Sequence, residues 1–211
     1  PRSYASRIEK GNPNDPLLMQ VLSIKQESYQ IDKYLSDPLQ EQAYNPIPGL
    51  LHKYPSRVLL TFAPSCAVHC RYCFRRHFPY DANNPGRKGW GDALEYIRNH
   101  PEIMEVILSG GDPLMASDQS IAGLLSELES IPHVKLLRFH TRLPVVIPER
   151  IHPEFVRLLA SHRFITTLVY HMNHPSEMTA TIATGVKHLR EHSINVLNQS
   201  VLLKGINDSV E

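Results

Sequence analysis

From Arg57 onward, short runs of β-branched and apolar residues alternate with longer stretches of helical period, and this alternation is what most limits the fold. The strand candidates are Val58–Phe62, Glu105–Ser109, Lys135–Phe139, Ile165–Tyr170 and Asn195–Leu202. Helix candidates lie at Asp92–Asn99, Ser120–Ser130, Pro153–His162 and Glu177–His192. Strands that recur about every thirty residues with a helix between them have the spacing of βαβ units. Such units build a parallel sheet covered by helices. In a barrel or partial barrel, the functional loops follow the C-terminal ends of the strands. The open doubly wound sheet is the alternative, but the turn Ser109-Gly110-Gly111-Asp112-Pro113 lacks the G-x-G-x-x-G spacing of a dinucleotide fold. We therefore expect an α/β chain with a partial parallel (β/α) barrel. Residues 1–53, rich in Pro, Asn, Asp and Gln, read as a partly helical N-terminal extension with a helical patch at Pro16–Gln26, and residues 54–211 as the core. The absence of an initiating Met and the stop just after an apolar segment lead us to expect a piece of a longer protein, truncated at both ends, with the barrel incomplete at its C-terminus.

The first strand runs directly into Cys66-Ala67-Val68-His69-Cys70-Arg71-Tyr72-Cys73, which holds all three cysteines of the chain. Three readings compete. A disulfide leaves one thiol over and suits an oxidising compartment, which nothing else in the sequence indicates. A zinc site would take His69 or His77 as its fourth ligand, yet the second Cys pair usual in zinc knuckles and ribbons is missing. The third and favoured reading is a [4Fe–4S] cluster. Three thiolates bind three of its irons and leave one free to chelate something else.

Composition excludes several classes. The 211 residues carry a formal net charge of +1, which gives no global electrostatic case for nucleic acid. No apolar run approaches the length of a membrane span. The polar start Pro1-Arg2-Ser3-Tyr4 has no signal-peptide pattern, so we expect a cytoplasmic protein.

Other residues expected on the functional face extend the site. Ser109-Gly110-Gly111-Asp112 alone is a tight turn. Beside a cluster loop it becomes a lip for a zwitterionic ligand, with backbone groups receiving an amino group and Asp112 orienting the loop. In Cys73-Phe74-Arg75-Arg76-His77-Phe78, two arginines are too few for a nucleic-acid patch, and the planar fork of Arg75 suits a carboxylate or phosphate; Arg76 stays open. His140, His171 and His174 fall near strand ends, where a histidine is more often satisfied by hydrogen bonds than a ligand. Asn198-Gln199-Ser200 interrupts an apolar strand and is expected to be a buried polar pair that a ribose would satisfy. Arg57 opens the first strand, as a surface residue or a phosphate contact.

Cys-x3-Cys-x2-Cys with an aromatic, Tyr72, just before the third cysteine resembles the signature of radical S-adenosylmethionine enzymes. More of the chain resembles the lysine 2,3-aminomutase family of that superfamily. The matching segments are Tyr54-Pro55-Ser56-Arg57, the cysteine loop with Arg75-Arg76, Leu108 to Asp112, Arg142-Leu143-Pro144-Val145-Val146-Ile147-Pro148, His171-Met172-Asn173-His174-Pro175 and Asn198 to Leu203. Glu9 to Pro13, Pro48 to Tyr54 and Cys73 to Tyr80 resemble the bacterial branch that supplies β-lysine for modifying elongation factor P. The resemblance implies a radical isomerase that moves the amino group of free lysine from Cα to Cβ, using a [4Fe–4S] cluster, S-adenosylmethionine and pyridoxal phosphate. By resemblance, Cys66, Cys70 and Cys73 bind the cluster. Tyr72, Ser109, Gly110, Gly111, Asp112 and Gln199 bind S-adenosylmethionine, Arg57 lies near pyridoxal phosphate, and Arg75 holds the substrate carboxylate. The lysine that holds pyridoxal phosphate is expected beyond Glu211, not at Lys204, so this stretch alone is expected not to complete catalysis. The implied partners are an electron donor such as a flavodoxin or ferredoxin and, indirectly, elongation factor P and its lysyl ligase. A mutase for another amino acid and a zinc-binding interaction module are the alternatives.

Overall fold

A computed structural model describes residues 1–29, 32, 34–83 and 89–209. Six strands form one sheet: β1 (Leu50–Tyr54), β2 (Arg57–Ala63), β3 (Glu105–Gly110), β4 (Leu136–Thr141), β5 (Ile165–His171) and β6 (Asn195–Gln199). Their spatial order follows the chain, β1-β2-β3-β4-β5-β6. β1 is antiparallel to β2, and every later pair is parallel. A doubly wound sheet reverses its strand order at a switch point, and this one does not. The progressive order is that of a (β/α) barrel, here an open sheet, consistent with a partial barrel.

Alternation along the strands gives the sheet two unlike faces. Val58, Leu60, Val106, Leu108, Leu137, Phe139, Leu168 and Tyr170 all belong to the buried core. They pack with the apolar residues of α2 (Gly91–Arg98), α3 (Asp118–Glu129), α5 (Pro153–Ala160) and α6 (Ala180–Glu191). The intervening positions face the other way and are largely polar: Thr61 pairs with Ser109, His140 with Val169, and His171 with Gln199. Lower on that face, Glu105 accepts from Arg138. Two further helices are one turn each, α1 (Arg2–Ala5) and α4 (Leu143–Val146).

Several elements differ from the sequence expectation. β1 lies in the segment read as an extension, where its alternation is too short to stand out, and it crosses the compositional boundary at residue 54. The patch Pro16–Gln26 is not one helix but two single 3-10 turns, Leu18–Gln20 and Lys25–Ser28. The carbonyls needed to continue the first turn are taken by the cysteine loop: Arg71 N–H donates to Gln20 O at 3.0 Å, and Arg71 Nη1 donates to Met19 O at 2.7 Å. Glu177 does not start α6. Its carboxylate folds back onto the Asn173 and His174 N–H groups at 2.6 and 3.0 Å, and the helix begins after Thr179, whose Oγ1 accepts from Ile182 N–H. β6 stops at Gln199 because its pairing ends there, opposite His171.

The N-terminal segment packs on this core. Tyr4 and Leu17 are buried in it. Arg7 donates through Nη1 to Glu177 O at 2.6 Å and through Nη2 to Val145 O at 2.5 Å.

Phe139 and Phe155 are the largest fully buried side chains among the described residues. Phe139→Ala should destabilise the fold by about 3–5 kcal/mol, read as a lower midpoint in thermal or urea denaturation.

Candidate functional site

The site is assembled where the turn after β3 tucks under the loop after β2. Gly111 N–H donates to Ala63 O at 2.7 Å, and Asp112 N–H donates to Ser65 O at 2.9 Å. A Cβ on Gly111 would stand 2.5 Å from Ser65 O, and Gly110, at φ +110°, would place one 2.9 Å from Ala63 O. Only glycine permits this approach. The expected lip is therefore occupied in part by its own neighbour: two of its N–H groups already serve the cysteine loop. Gly110 O accepts from Tyr80 OH at 2.7 Å, which fixes the far end of that loop.

Asp112 ties two of the turns together. Its buried carboxylate accepts four hydrogen bonds. Oδ1 takes Leu114 N–H at 3.0 Å and Thr141 Oγ1–H at 2.6 Å, and Oδ2 takes Arg142 N–H at 2.7 Å and Leu143 N–H at 2.8 Å. Burial pushes its pKa up while these bonds pull the other way. The turn after β3 is thereby tied to the turn after β4.

Cys66, Cys70 and Cys73 are all free thiols. Cys66 is exposed and Cys70 and Cys73 are half-buried; partial desolvation by the surrounding loop still pushes the Cys66 thiol up to about 12, and the nearby Asp112, Cys70 and Cys73 add to the rise. Burial also raises Cys73, with a further push from Cys70. The three sulfurs are thus gathered close enough to act on one another. Among the described residues no group of three or more His, Cys, Asp or Glu side chains is placed to hold a single metal ion. A single zinc needs every donor about 2.3 Å from one point, whereas a cubane receives each thiolate at a separate corner. The donor set fits the cubane.

Arg75 is buried beside Ser109. Its Nη1 donates to Ser109 Oγ at 3.0 Å, while Nε and Nη2 form a side-on fork with Glu41 Oε2 and Oε1 at 2.8 and 2.6 Å. A guanidinium has five N–H groups, so two remain for a further anion. Glu41 lies in a polar tract with no motif, and sequence reasoning missed it; the only clue was that a buried arginine requires a partner.

The structure does not bring Arg57 into this group. It stands at the first residue of β2, paired at 3.4 Å with Glu105 and lying over Tyr54. At about 3.3 Å per residue, the length of β2 separates it from the cysteine loop by roughly 20 Å. Nor are Asn198 and Gln199 a buried pair. Both are exposed on β6, and Asn198 instead exchanges two hydrogen bonds with the Met172 backbone, at 3.1 and 3.0 Å. Gln199 does sit close enough to His140 to bias its titration.

His140 and His171 are each held down to about 4, chiefly by burial, so both imidazoles are neutral near pH 7. Their Nε2 atoms are buried without a partner among the described residues. Unsatisfied ring nitrogens on the polar face, next to Gln199 and the Tyr72 ring, suit a polar ligand lying across the strand ends. His174 is different: its Nδ1 accepts from Ser176 N–H at 3.1 Å and caps a local turn.

Behind the cysteine loop lies a buried polar network centred on Arg142, to which the sequence reading gave no role. Tyr72 enters it by accepting Asn173 Nδ2–H at 2.6 Å. Gln20 Oε1 accepts from Asn173 at 2.9 Å and from Arg142 at 2.8 Å. Glu177 pairs with Arg142 at 2.8 Å, and both are buried. No spacing rule marks such residues, because they come from four separate segments.

Among the described residues all six lysines, Lys10, Lys25, Lys53, Lys135, Lys187 and Lys204, are exposed. None is the buried lysine that a pyridoxal phosphate linkage favours.

The model of the Radical SAM superfamily matches residues 60–211. The whole chain is 52% identical over 211 residues to an L-lysine 2,3-aminomutase of Haemophilus influenzae and 50% identical to one of Escherichia coli. One from Clostridium subterminale is 40% identical over 208 residues, or 98% of this chain. The chain spans 62%, 61% and 50% of these three relatives. No helix among the described residues is long and apolar enough to cross a membrane.

Gly111→Ala forces its Cβ into the Ser65 backbone. We expect a loss of about 1–3 kcal/mol in thermal denaturation, together with faster proteolysis of the cysteine loop. A variant as stable as wild type would show that the loop yields freely.

Proposed function

The chain belongs to the Radical SAM superfamily, and from that premise we propose that it forms the cluster and S-adenosylmethionine site of an aminomutase converting L-α-lysine to β-lysine. The observation that carries this is the seating of the Gly110-Gly111 turn against Ser65, at the start of the loop that bears Cys66, Cys70 and Cys73, in a chain half identical throughout to relatives named L-lysine 2,3-aminomutase. When bound, the cluster and S-adenosylmethionine supply a carbon radical able to take hydrogen from an unactivated C–H bond; the protein supplies position and exclusion of side reactions.

In this reading each residue has a physical task. Cys66, Cys70 and Cys73 would hold the cluster, leaving one iron free for the cofactor. Ser109 to Asp112 shape the wall beside it. The orphan Nε2 atoms of His140 and His171, with Gln199 and Tyr72, receive polar edges of the cofactor. Arg75, oriented by Glu41 and Ser109, offers its two remaining N–H groups to the substrate carboxylate, which suits a planar bidentate pair. Pyridoxal phosphate, the third cofactor of the reading, finds no buried lysine among the described residues, and no step is assigned to it. A low-potential electron donor such as a flavodoxin or ferredoxin, a cytoplasmic setting and delivery of β-lysine toward elongation factor P complete the proposal.

Anaerobic reconstitution of the intact protein with iron and sulfide tests it. Wild type should turn brown and hold about four irons per chain, and with S-adenosylmethionine, pyridoxal phosphate and a reductant it should yield β-lysine from lysine. Cys70→Ala should lose the cluster. A Cys70→Ala protein with a full cluster would overturn the ligand assignment, and a loaded wild type inert toward lysine but active on another amino acid would overturn the substrate.

A further inference from the structure

We infer that Arg142 is a positioning residue that sets the reduction potential of the cluster through Cys70, and that the N-terminal segment holds it in place. The inference rests on the cluster reading above. Arg142 Nη1 donates to Cys70 Sγ at 2.8 Å. On the opposite side its Nη2 meets three acceptors: Glu177 Oε1 at 2.8 Å, Gln20 Oε1 at 2.8 Å and Tyr4 OH at 3.2 Å. Its backbone N–H is held by Asp112. The guanidinium is therefore fixed at both ends and cannot swing away from the sulfur.

The arrangement is polarised. Glu177 is wholly buried, and its other oxygen is fixed by the Asn173 and His174 N–H groups, so the negative charge stays on the far side of the guanidinium. The positive edge faces the sulfur. A charge-assisted N–H on a ligating thiolate stabilises the electron-rich, reduced cluster more than the oxidised one and so raises its potential. Outer partners of this kind tune a centre as strongly as some ligands do. A buried ion pair that only held the fold would need no contact with Cys70. Two of the three Nη2 partners, Tyr4 and Gln20, come from the first twenty residues, so that segment acts on the cluster without touching it.

The test is an EPR-monitored redox titration of the reconstituted intact protein, with iron content measured alongside. Arg142→Lys keeps the charge but is too short to hold Glu177 and reach Cys70 together. It should retain a full cluster whose midpoint shifts to a more negative potential. Gln20→Leu, which loosens the guanidinium and leaves the ion pair, should shift it the same way by less, and it carries the test alone if Arg142→Lys fails to fold. Variants with full clusters and unchanged midpoints overturn this inference alone. A wild type that takes up no iron overturns the cluster reading and this inference with it.

Discussion

The contact between Gly111 and Ser65 is the constraint from which the rest of the site follows. At 2.5 Å from a hypothetical Cβ to a backbone oxygen, no other residue fits without moving one of the two loops. Once β3 ends this close beneath the cysteine loop, Asp112 must follow into the interior. A buried carboxylate is tolerable only if its oxygens are satisfied, and Asp112 meets that demand with N–H groups from the start of the next loop, at Arg142 and Leu143. Those bonds place the Arg142 side chain at Cys70. A glycine and an aspartate on the turn after β3 and an arginine on the turn after β4 thus form one mechanical chain that ends at a cysteine sulfur.

Two buried cations stand beside the three thiols, each answered by a carboxylate from elsewhere in the sequence: Arg142 by Glu177, and Arg75 by Glu41. Buried pairs of this kind are weak contributors to stability relative to an apolar replacement, yet breaking one costs about 3–5 kcal/mol. Their retention is better explained by the site than by the fold. Thiolates brought together in one loop repel one another, and nearby guanidinium groups offset that repulsion. The opposite face of each guanidinium is neutralised, so the local field points toward the sulfurs and not into the core.

The sequence made the scaffold legible where periodicity is enforced by burial. The strands from β2 to β5 and the four longer helices were recognisable to within a few residues, because one face of each must meet the core. The three cysteines were legible because their clustering has no structural explanation. β1 was not, since its burial is confined to Leu50 and Leu51. Gln199 was misjudged as buried because an edge strand and a central strand look alike in one dimension. Arg57 stands at the opening of β2, where the sequence put it, at the end of the strand away from the cysteine loop. Glu41, Gln20 and Arg142 were invisible as site residues because each matters only through a partner distant in sequence.

The change of composition near residue 54 is not a break in packing. Glu41 occupies one edge of Arg75, Gln20 and Tyr4 hold Arg142, and Arg71 of the cysteine loop binds the carbonyls of Met19 and Gln20. A polar, proline-rich stretch looks dispensable in composition because it buries little apolar surface. Its contribution is of another kind: it supplies acceptors to cations that the core has buried. Without those acceptors Arg75 would remain desolvated and unpaired, and Arg142 would keep only Glu177 to orient it. The geometry around Cys70 and Ser109 is therefore set jointly by the segment and the sheet, and the polar character that makes residues 1–53 look like an appendage is what fits them to that task.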